Sequence, residues 1–540
     1  HRREGAQAFL SDWPQAFSSG RGDLSGGGAL LVFLPGAPEI SRLQRLLLSS
    51  DKVLSAAGGS AGLRVLPLHG SLSSAEQSRV FGRPPAGCFK VVLSTNVAET
   101  SITIDDVTAV LDTGRVKEMS HDAERGIQRL QEGWVSQAAA QQRRGRAGRV
   151  RPGICFRLFS SQQWRRMPHH TQPEMLRSPL ESVCLLVKGM TEAAAAAAGG
   201  STTSTSTDTL SSSDLSSTLG SSSGAAAFLS RCLSPPSPTA VSSALRLLRG
   251  IGAFDSSESL TSLGRHLNRM PMDPRVGKAL VYGCMLGCLD PVLTVTAAMA
   301  HGRPVFLNLQ SALEGAAAAR QQLLRSAVTS RSDHIALVAA YNGWIKAVEK
   351  GGRSAGSQLC SDCGLSESSL EAIRAGRVEY ARVLGELGFL ESDPWVIAAA
   401  AGAGTGAGQQ QQGGADKEDP ANRNAGNARF LKAALCAGFY PSVLRVQHPK
   451  TKYKEVYGGT EEAEADAKDV KLFDRERGRV FLHPGSVCFS VGKYESGWLV
   501  YTQMTEMIRD GRPKLLVREA SMVPVYSLLL FGGEVAVEHA

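Results

Sequence analysis

Four arginines lie within seven residues of the segment Gln141–Pro152, which reads QQRRGRAGRVRP. Arg146 and Arg149 are three positions apart, so a helix would project both from one face, and the small residues around them would let that face approach a partner closely. Planar, permanently charged guanidinium groups suit the spread negative charge of a phosphoryl group in transfer. An arbitrary arginine-rich segment is more often a solvated basic helix or a nucleic-acid patch. The surrounding elements must decide between these interpretations.

Five apolar runs, most of them separated by helix-length segments, share the first third of the chain with these arginines. They are Ala29–Leu34, Val65–Leu68, Val91–Leu93, Val107–Leu111 and Ile154–Phe159. Strands that alternate with helices indicate βαβ units and a parallel sheet with both faces covered. The Ser-, Thr- and Asn-rich loop after the third run is typical of the carboxyl ends of such strands, where hydroxyl and backbone N–H groups are presented. The sequence therefore predicts an α/β domain.

Four ordered segments of this domain resemble the second RecA-like domain of DEAH-box RNA helicases. They are LVFLPGAPEI (Leu31–Ile40), LHGSLSSAEQSRVF (Leu68–Phe81), STNVAETSITID (Ser94–Asp105) and QRRGRAGR (Gln142–Arg149). In order they are similar to helicase motif IV, the segment after it, motif V and motif VI, and four motifs in family-like order are a specific signal. The resemblance continues, with gaps, almost to the C-terminus.

The resemblance implies that this domain supplies groups to ATP bound between two RecA-like domains. Arg146 and Arg149 would contact the γ-phosphate as arginine fingers, and Gln142 would help to position the attacking water. The cofactor would be ATP with Mg²⁺, with the metal held mainly by the first RecA-like domain.

The base and ribose of ATP would meet three further residues of the resembling motifs. Phe81 would stack on adenine, and Asp105 would accept from the ribose hydroxyls with the help of Thr103. Without the family, Phe81 could equally be a core residue next to a helical Val80. Asp105 could equally be a capping or turn residue.

RNA is expected at the loop ends on the other edge of the sheet. Ser94, Thr95 and Asn96 are candidates for contact with backbone phosphates through hydroxyl and amide groups. Between motifs V and VI, Gly114–Trp134 has two short runs around a polar centre, which suits the β-hairpin that the family uses to separate strands. Lys117 matches a family position that senses the nucleotide state.

The whole chain is predicted to be multidomain: an α/β RecA-like parallel sheet, then a mostly α winged helix and helical bundle, then a β OB-like barrel. Low-complexity segments rich in Ala, Ser, Thr, Gly and Gln cannot bury enough apolar surface to offset chain entropy, so we expect them to be disordered. The segments are an N-terminal remnant (1–28), the RecA-like domain (29–174), the winged helix (175–272) with a disordered insert (193–227), a ratchet-like helical bundle (273–396), a disordered linker (397–428), the OB-like domain (429–533) and a tail (534–540).

A basic and aromatic segment lies near the start of the OB-like domain. His448–Gly459 reads HPKTKYKEVYGG, and OB barrels bind single strands through basic grooves with stacking aromatics. As a lone feature such a segment is more often an exposed hairpin. Within this domain we favour RNA contact through Lys450, Lys452, Tyr453 and Lys454.

Composition restricts the function classes without identifying one. The net charge of +9 is compatible with an anionic partner but too mild to prove one. No run of eighteen apolar residues occurs, so no membrane span is predicted. Cysteines scattered singly through apolar runs are typical of a reduced intracellular protein. We expect the cytoplasm and/or the nucleus, with an organelle as the alternative that a targeting segment would decide. Cys360 and Cys363 form the only C-x-x-C, and without a second ligand pair we expect no metal site.

Two motor parts are missing from the 540 residues: the phosphate cradle G-x-x-x-x-G-K-[ST] and the acidic DEAH-type box. We therefore expect the C-terminal half of an ATP-dependent helicase that moves 3′ to 5′ on RNA, without its first RecA-like domain and inactive in ATP hydrolysis alone. Protein partners cannot be named from the sequence. A non-catalytic RNA-binding remnant is one alternative, although the intact arginines argue against it. A DNA helicase is another, disfavoured by the trailing domains.

Overall fold

The computed structural model describes most of the chain and divides it into two compact units. The first unit is His1–Ser120 with Leu130–Pro173, and the second is His121–Arg129 with Glu174–Ala540. The described residues run from 28 to 533, with gaps at 60–61, 71, 73, 86, 101, 123–126, 150–151, 200–223, 308–313, 391–419, 450–452, 457–458, 463–465 and 510–511.

The first unit is built on a five-stranded parallel sheet with the order β2-β3-β1-β4-β7. Its strands are β1 (Ala29–Phe33), β2 (Leu63–Leu68), β3 (Phe89–Ser94), β4 (Val107–Asp112) and β7 (Ile154–Arg157). Each of the five apolar runs thus forms a strand, as predicted. The central strand β1 is buried along its whole length, because apolar side chains cover both faces of the sheet.

Short helices and one hairpin connect these strands. The helices are α1 (Ala37–Leu48), α2 (Asp51–Ala56), α3 (Ser74–Ser78), α4 (Val97–Thr100), α5 (Gln137–Gly145) and α6 (Ser161–Arg166), with a 3-10 turn at Arg79–Phe81. The predicted hairpin consists of β5 (Arg115–Asp122) and β6 (Ile127–Trp134). Residues 121–129, which include the tip of the hairpin, belong to the second unit. There Gln128 and Arg129 of β6 pair in parallel with Thr505 and Glu506.

Helices dominate the second unit up to Phe439. They are α7 (Glu181–Gly199), α8 (Ala225–Leu229), α9 (Pro238–Gly250), α10 (Ser262–Asn268), α11 (Pro274–Met285), α12 (Leu289–His301), α13 (Glu314–Leu323), α14 (Arg325–Ser330), α15 (Asp333–Cys363), α16 (Glu367–Glu386) and α17 (Ala428–Phe439). An antiparallel bridge between Phe254 and Leu260 follows α9 as a minimal wing. The backbone of α15 leaves helical geometry at Gly351 and at Gly352, where φ is +69°. Among the described residues, no helix has the length and apolarity needed to cross a bilayer.

The second unit ends in the predicted OB-like barrel. Its strands are β8 (Val443–Gln447), β11 (Lys471–Asp474), β12 (Gly478–Leu482), β13 (Trp498–Arg509) and β14 (Arg512–Met522). They form a closed ring in the order β14-β12-β11-β8-β13, with β13 pairing back to β14. A separate two-stranded ribbon joins β9 (Tyr453–Val456) and β10 (Gly459–Glu462). Helix α17 precedes the barrel and α18 (Val525–Phe531) follows it.

The predicted disorder is wrong at three described places. Helix α7 continues through Ala193 to Gly199, because alanine has the highest helix propensity. Helix α8 starts at Ala225, inside the predicted insert. The end of the predicted linker is ordered from Pro420 onward, where the Asn422 side chain accepts a 2.7 Å hydrogen bond from the Asp290 backbone N–H. Residues 200–223 and 391–419 lie outside the described residues.

Candidate nucleotide and nucleic-acid sites

The candidate site residues of the first unit divide between the two edges of the parallel sheet. Phe81 precedes β3, Asp105 precedes β4 and Arg149 precedes β7, so they belong to the amino edge. Thr95 and Asn96 follow the last residue of β3 and belong to the carboxyl edge. Chain direction therefore places these candidate nucleotide residues and these candidate RNA residues at opposite edges.

Helix α5 delivers the arginine motif to the site. The Ser136 hydroxyl caps it by accepting from the Ala139 N–H at 3.1 Å, and three alanines in its first turns favour the helix. The helix ends at Gly145, and Arg146 is its C-cap. The prediction that Arg146 and Arg149 project from one helix face is therefore wrong: a turn separates them, since glycine does not sustain the helix there.

Arg146 is half-buried and anchored to the motif V loop. Its guanidinium donates to the Ile102 carbonyl at 3.0 Å and to the Glu99 carbonyl. Burial lowers the pKa of Arg146, and the positive charge of Arg149 lowers it further, whereas Glu99 raises it. An arginine remains protonated at neutral pH, so the two neighbouring guanidinium groups repel each other. An anion between them would relieve that repulsion, which fits a phosphate.

Arg149 and Gln142 are both exposed. The Arg149 guanidinium donates to the Thr103 hydroxyl at 2.7 Å, so the last arginine of motif VI contacts the segment that carries Asp105. Thr103 and Asp105 are exposed as well, and Asp105 lies in a turn directly before β4. The structure thus brings Arg149 to Thr103, two residues before Asp105 in the chain, and places Gln142 on the last turns of α5.

Phe81 points outward, unlike its neighbour. Val80 is fully buried, whereas 53% of Phe81 is exposed, so Phe81 is not a core residue. The fully buried Lys90 donates from Nζ to the carbonyls of Val80 at 2.5 Å and Gly82 at 3.1 Å. The same Nζ lies 3.0 and 2.9 Å from the two carboxylate oxygens of Asp106. A buried ion pair therefore fixes the backbone on both sides of Phe81.

At the carboxyl edge, two of the three motif V candidates are accessible. Ser94 is fully buried, and its hydroxyl donates to the Thr95 carbonyl at 2.8 Å. Thr95 is half-buried and Asn96 is exposed. Lys117 on β5 forms an ion pair of 2.7 Å with Glu39 on the first turn of α1. The accessible polar groups here are thus Thr95, Asn96 and the Lys117–Glu39 pair.

Arg143 is the buried member of the arginine motif. It donates to Glu99 Oε2 and to Asp112 Oδ1, both at 3.0 Å, and its guanidinium lies 4.9 Å from the centre of the Phe33 ring. Burial raises the pKa of Glu99, and the Arg143 charge opposes that shift. Arg143 therefore holds α5 onto motif V and the ends of β1 and β4.

The basic segment of the barrel is only partly described. Lys450 and Lys452 lie outside the described residues. Tyr453 and Lys454 are on β9, paired with Glu462 and Glu461 of β10, but their side chains also lie outside the description. Their RNA contact stays a prediction.

Cys360 and Cys363 lie in a buried apolar cluster between α12, α15 and α16. Within the described ranges, no three His, Cys, Asp or Glu residues converge in a way that could hold a metal ion.

Sequence reasoning missed the buried charges behind both edges. Lys90 and Asp106 stand behind the amino edge, and Arg143, Glu99 and Asp112 stand behind the carboxyl edge. The sequence does contain a signal: Lys90 directly precedes the apolar run of β3, and Asp112 directly follows that of β4. A charge in such a place is buried only with a partner, so pairs of this kind can be sought.

Four family models match the chain in the order that the fold shows. They are the helicase conserved C-terminal domain (residues 23–151), the winged-helix helicase associated domain (244–272), the ratchet-like helicase associated domain (273–337) and the oligonucleotide/oligosaccharide-binding fold (431–535). The matches follow one another in the order of the described domains, from the parallel sheet to the barrel.

Two relatives extend the likeness across nearly the whole chain. The DExH-box ATP-dependent RNA helicase DExH1 of Arabidopsis thaliana is 34% identical over 94% of this chain and 43% of its own length. The ATP-dependent DNA/RNA helicase DHX36 of Homo sapiens is 34% identical over 95% of this chain and 43% of its own length. The chain thus spans less than half the length of these relatives. The domain order, the arginine motif and these matches show that the chain belongs to the DEAH-box helicase family, of which it carries the C-terminal domains.

Proposed function

We propose that this chain is the C-terminal part of an ATP-dependent RNA helicase, which translocates 3′ to 5′ along RNA by closing and opening two RecA-like domains. The phosphate cradle and the acidic box must come from another domain, because neither occurs in the 540 residues. The chain alone therefore binds RNA but does not hydrolyse ATP.

One observation carries the proposal: Arg149 is exposed at the amino edge, beside a second guanidinium that is fixed on the motif V loop. A basic patch for nucleic acid would expose several mobile arginines. Here Arg143 is buried, Arg146 is anchored and Arg149 is held on Thr103. Such preorganised cations are suited to the charge that develops on a transferring phosphoryl group.

The exposed residues of the first unit offer groups of the types that ATP requires. The exposed Phe81 ring offers a face to adenine, and the Asp105 carboxylate is free of the core and can accept from ribose hydroxyls. Arg146 and Arg149 would bind the γ-phosphate, and Gln142 would orient the attacking water. Mg²⁺ would neutralise charge between the β- and γ-phosphates, held by the domain that carries the acidic box.

RNA would bind at the carboxyl edge of the sheet in the first unit. Thr95 and Asn96 would contact phosphates, and Lys117 would sense the nucleotide state through its pair with Glu39. Ser94 is too buried to reach RNA with its side chain. The barrel would add contacts through Lys450, Lys452, Tyr453 and Lys454.

The test uses a protein that joins this chain to a P-loop domain, with the chain alone as comparison. We expect RNA-stimulated ATP hydrolysis and unwinding of 3′-tailed RNA duplexes from the joined protein, and RNA binding without hydrolysis from the chain alone. Hydrolysis by the chain alone that survives Arg149→Ala would contradict the missing half-site. Absence of hydrolysis from the joined protein would favour a non-catalytic RNA-binding protein. Preference for 3′-tailed DNA over RNA of the same sequence would identify a DNA helicase.

A further inference from the structure

We propose that Lys90 is a positioning residue for the nucleotide, which locks the base-stacking Phe81 and the ribose-binding Asp105 into one unit. This inference rests on the proposed function, because Phe81 and Asp105 have nucleotide roles only within it. It adds the residue pair Lys90–Asp106, which lies behind the site and holds its shape.

Lys90 contacts two segments of the candidate nucleotide site at the same time. Its ammonium group donates to the carbonyls of Val80 and Gly82, the residues on either side of Phe81. The carboxylate of Asp106, which directly follows Asp105, lies 2.9 Å away. One cation therefore joins the turn that presents the aromatic ring to the turn that presents the ribose acceptor.

Lys90 cannot touch ATP itself, because it is fully buried on β3. Nor does the fold require an ammonium at this place. A buried ion pair pays desolvation on both ions, and apolar side chains of similar volume often stabilise a core equally well. What an apolar side chain cannot supply is a set of donors for two carbonyls that point inward at the base of the Phe81 turn.

Two features of the second unit lack such a link to ligand residues. The cavity of about 990 Å³ in the second unit is lined by charged groups that already pair with each other, such as Asp273 with Arg275 and Asp474 with Arg477. The apolar side chains exposed on α18 have nothing on them that indicates an occupant. Lys90, in contrast, bonds directly to the chain neighbours of two candidate ligand residues, Phe81 and Asp105.

The consequence is a specific kinetic signature. Phe81 and Asp105 would contact the base and ribose, which do not react, whereas Arg146 and Arg149 would contact the phosphate that does. Loosening the first pair removes binding that is equal in the ground state and the transition state, which raises KM and leaves kcat unchanged. Loss of a base-stacking contact corresponds to a rise in KM for ATP of about tenfold.

The variant Lys90→Met removes the ammonium and keeps the length of the side chain. Because it leaves the Asp106 carboxylate buried without its partner, the double variant Lys90→Met/Asp106→Asn is made beside it and carries the test if the single variant does not fold. Both are measured in the protein that joins this chain to a P-loop domain. We expect KM for ATP to rise about tenfold and kcat to stay within about twofold.

Lys432→Met is the matched control. Lys432 is also a buried lysine that donates to a backbone carbonyl, that of Ser330 at 2.6 Å, but it lies in the second unit. Its loss should leave KM for ATP unchanged. Hydrogen exchange on the 540-residue chain provides a second readout, in which the amides of 79–89 should exchange faster in the Lys90 variants and not in the control.

A double-mutant cycle with Phe81→Ala decides whether Lys90 acts through Phe81. If it does, adding Lys90→Met to Phe81→Ala raises KM by a smaller factor than Lys90→Met does in the presence of Phe81, because the ring is gone and only the effect on Asp105 remains. Fully additive effects, an unchanged KM in the double variant, or a fall in kcat instead of a rise in KM would overturn the proposal. An unchanged KM in Phe81→Ala itself would instead contradict the nucleotide role of Phe81, so the two failures are distinguishable.

Discussion

At each edge of the parallel sheet a buried cation lies behind accessible residues, but the cation is a lysine at one edge and an arginine at the other. At the amino edge the exposed Phe81 and Asp105 stand in front of the buried Lys90, and at the carboxyl edge the accessible Thr95 and Asn96 stand in front of the buried Arg143. Lys90 binds two carbonyls and one carboxylate. Arg143 binds two carboxylates and one carbonyl. Each edge thus pairs accessible ligand candidates with a hidden charge.

The difference between the cations lies in what they connect. Lys90 joins two turns of one edge, so its influence should stay with the nucleotide. Arg143 sits on α5, the helix that ends in Arg146, and binds Glu99, whose own carbonyl accepts from Arg146. Glu99 is three residues after Asn96 in α4. Arg143 therefore couples the RNA edge to the arginine fingers.

The largest expected effect tests whether the arginine fingers belong to the nucleotide edge. Arg149→Ala in the protein that joins this chain to a P-loop domain should lower ATP turnover by about 10³–10⁵, the range of an arginine finger. RNA affinity in the absence of nucleotide should change little. Steady-state ATPase rates and fluorescence-anisotropy RNA titrations measure the two.

Arg144→Ala is the control for this prediction, since Arg144 is an exposed arginine of the same motif without a proposed contact. It should keep most of the ATPase rate. If Arg149→Ala lowers RNA affinity by the same factor as ATP turnover, Arg149 contacts the phosphate backbone of RNA. The nucleotide residues and the RNA residues would then not lie at separate edges.

The second prediction concerns the stability that the buried Arg143 provides. Arg143→Met leaves Glu99 and the fully buried Asp112 carboxylate without their cation, and breaking a buried pair costs about 3–5 kcal/mol. The free energy of opening of β1 and β4, measured by native-state hydrogen exchange, should fall by that amount. Arg382→Met is the control, because its pairs with Glu379 and Glu386 are on the surface, where ion pairs contribute little to stability. Equal effects of both variants would show that Arg143 is not needed to hold the edge.

The sequence was sufficient to predict the strands of the sheet and the edge at which each motif lies. Strand residues read as apolar runs, and the direction of parallel strands sorts the loops between two edges. It was also sufficient for the domain order, since long patterned segments carry strong signals.

The sequence could not show which arginine is buried. Arg143 and Arg144 are adjacent and identical in type, and only the contact with Glu99 and Asp112 distinguishes them. The helix end at Gly145 was missed because the arginine spacing suits a helix as well as a turn. The low-complexity composition of Ala193–Gly199 predicts disorder, whereas the high helix propensity of alanine favours the helix that forms there.

The third prediction concerns a buried titratable side chain of the second unit. His334 on α15 is fully buried with a neutral partner, the Ser521 hydroxyl at 2.6 Å, and burial lowers its pKa from 6.5 to about 3. A lowered pKa means that the unfolded state binds the proton first, so stability is full above about pH 6.5 and is lost as the pH falls toward 3. The slope is about 1.4 kcal/mol per pH unit at most.

This slope of unfolding free energy against pH is measured by urea unfolding of the 540-residue chain between pH 7 and pH 4.5. Amide hydrogen exchange of the second unit is the probe of unfolding. His334→Gln should flatten it in the second unit and leave the pH dependence of the first unit unchanged. His266→Gln is the control, because its ring is only partly buried, at an edge-to-face contact with Phe389. An unaltered slope in His334→Gln would assign the acid sensitivity to other groups.

The smallest expected effect tests whether Lys117 meets RNA at the carboxyl edge. Each phosphate contact contributes about 0.7 to the slope of log affinity against log salt for a single strand, so Lys117→Ala should reduce that slope by about this amount, similarly for different RNA sequences. Because Lys117 pairs with Glu39, the loss could come from the carboxylate that is left behind. Lys117→Ala/Glu39→Gln removes that carboxylate and should show the same slope, whereas Lys52→Ala on the exposed side of α2 should show none of the change. A slope restored in the double variant would mean that Lys117 only shields Glu39, and the carboxyl edge would then hold RNA through Thr95 and Asn96 alone.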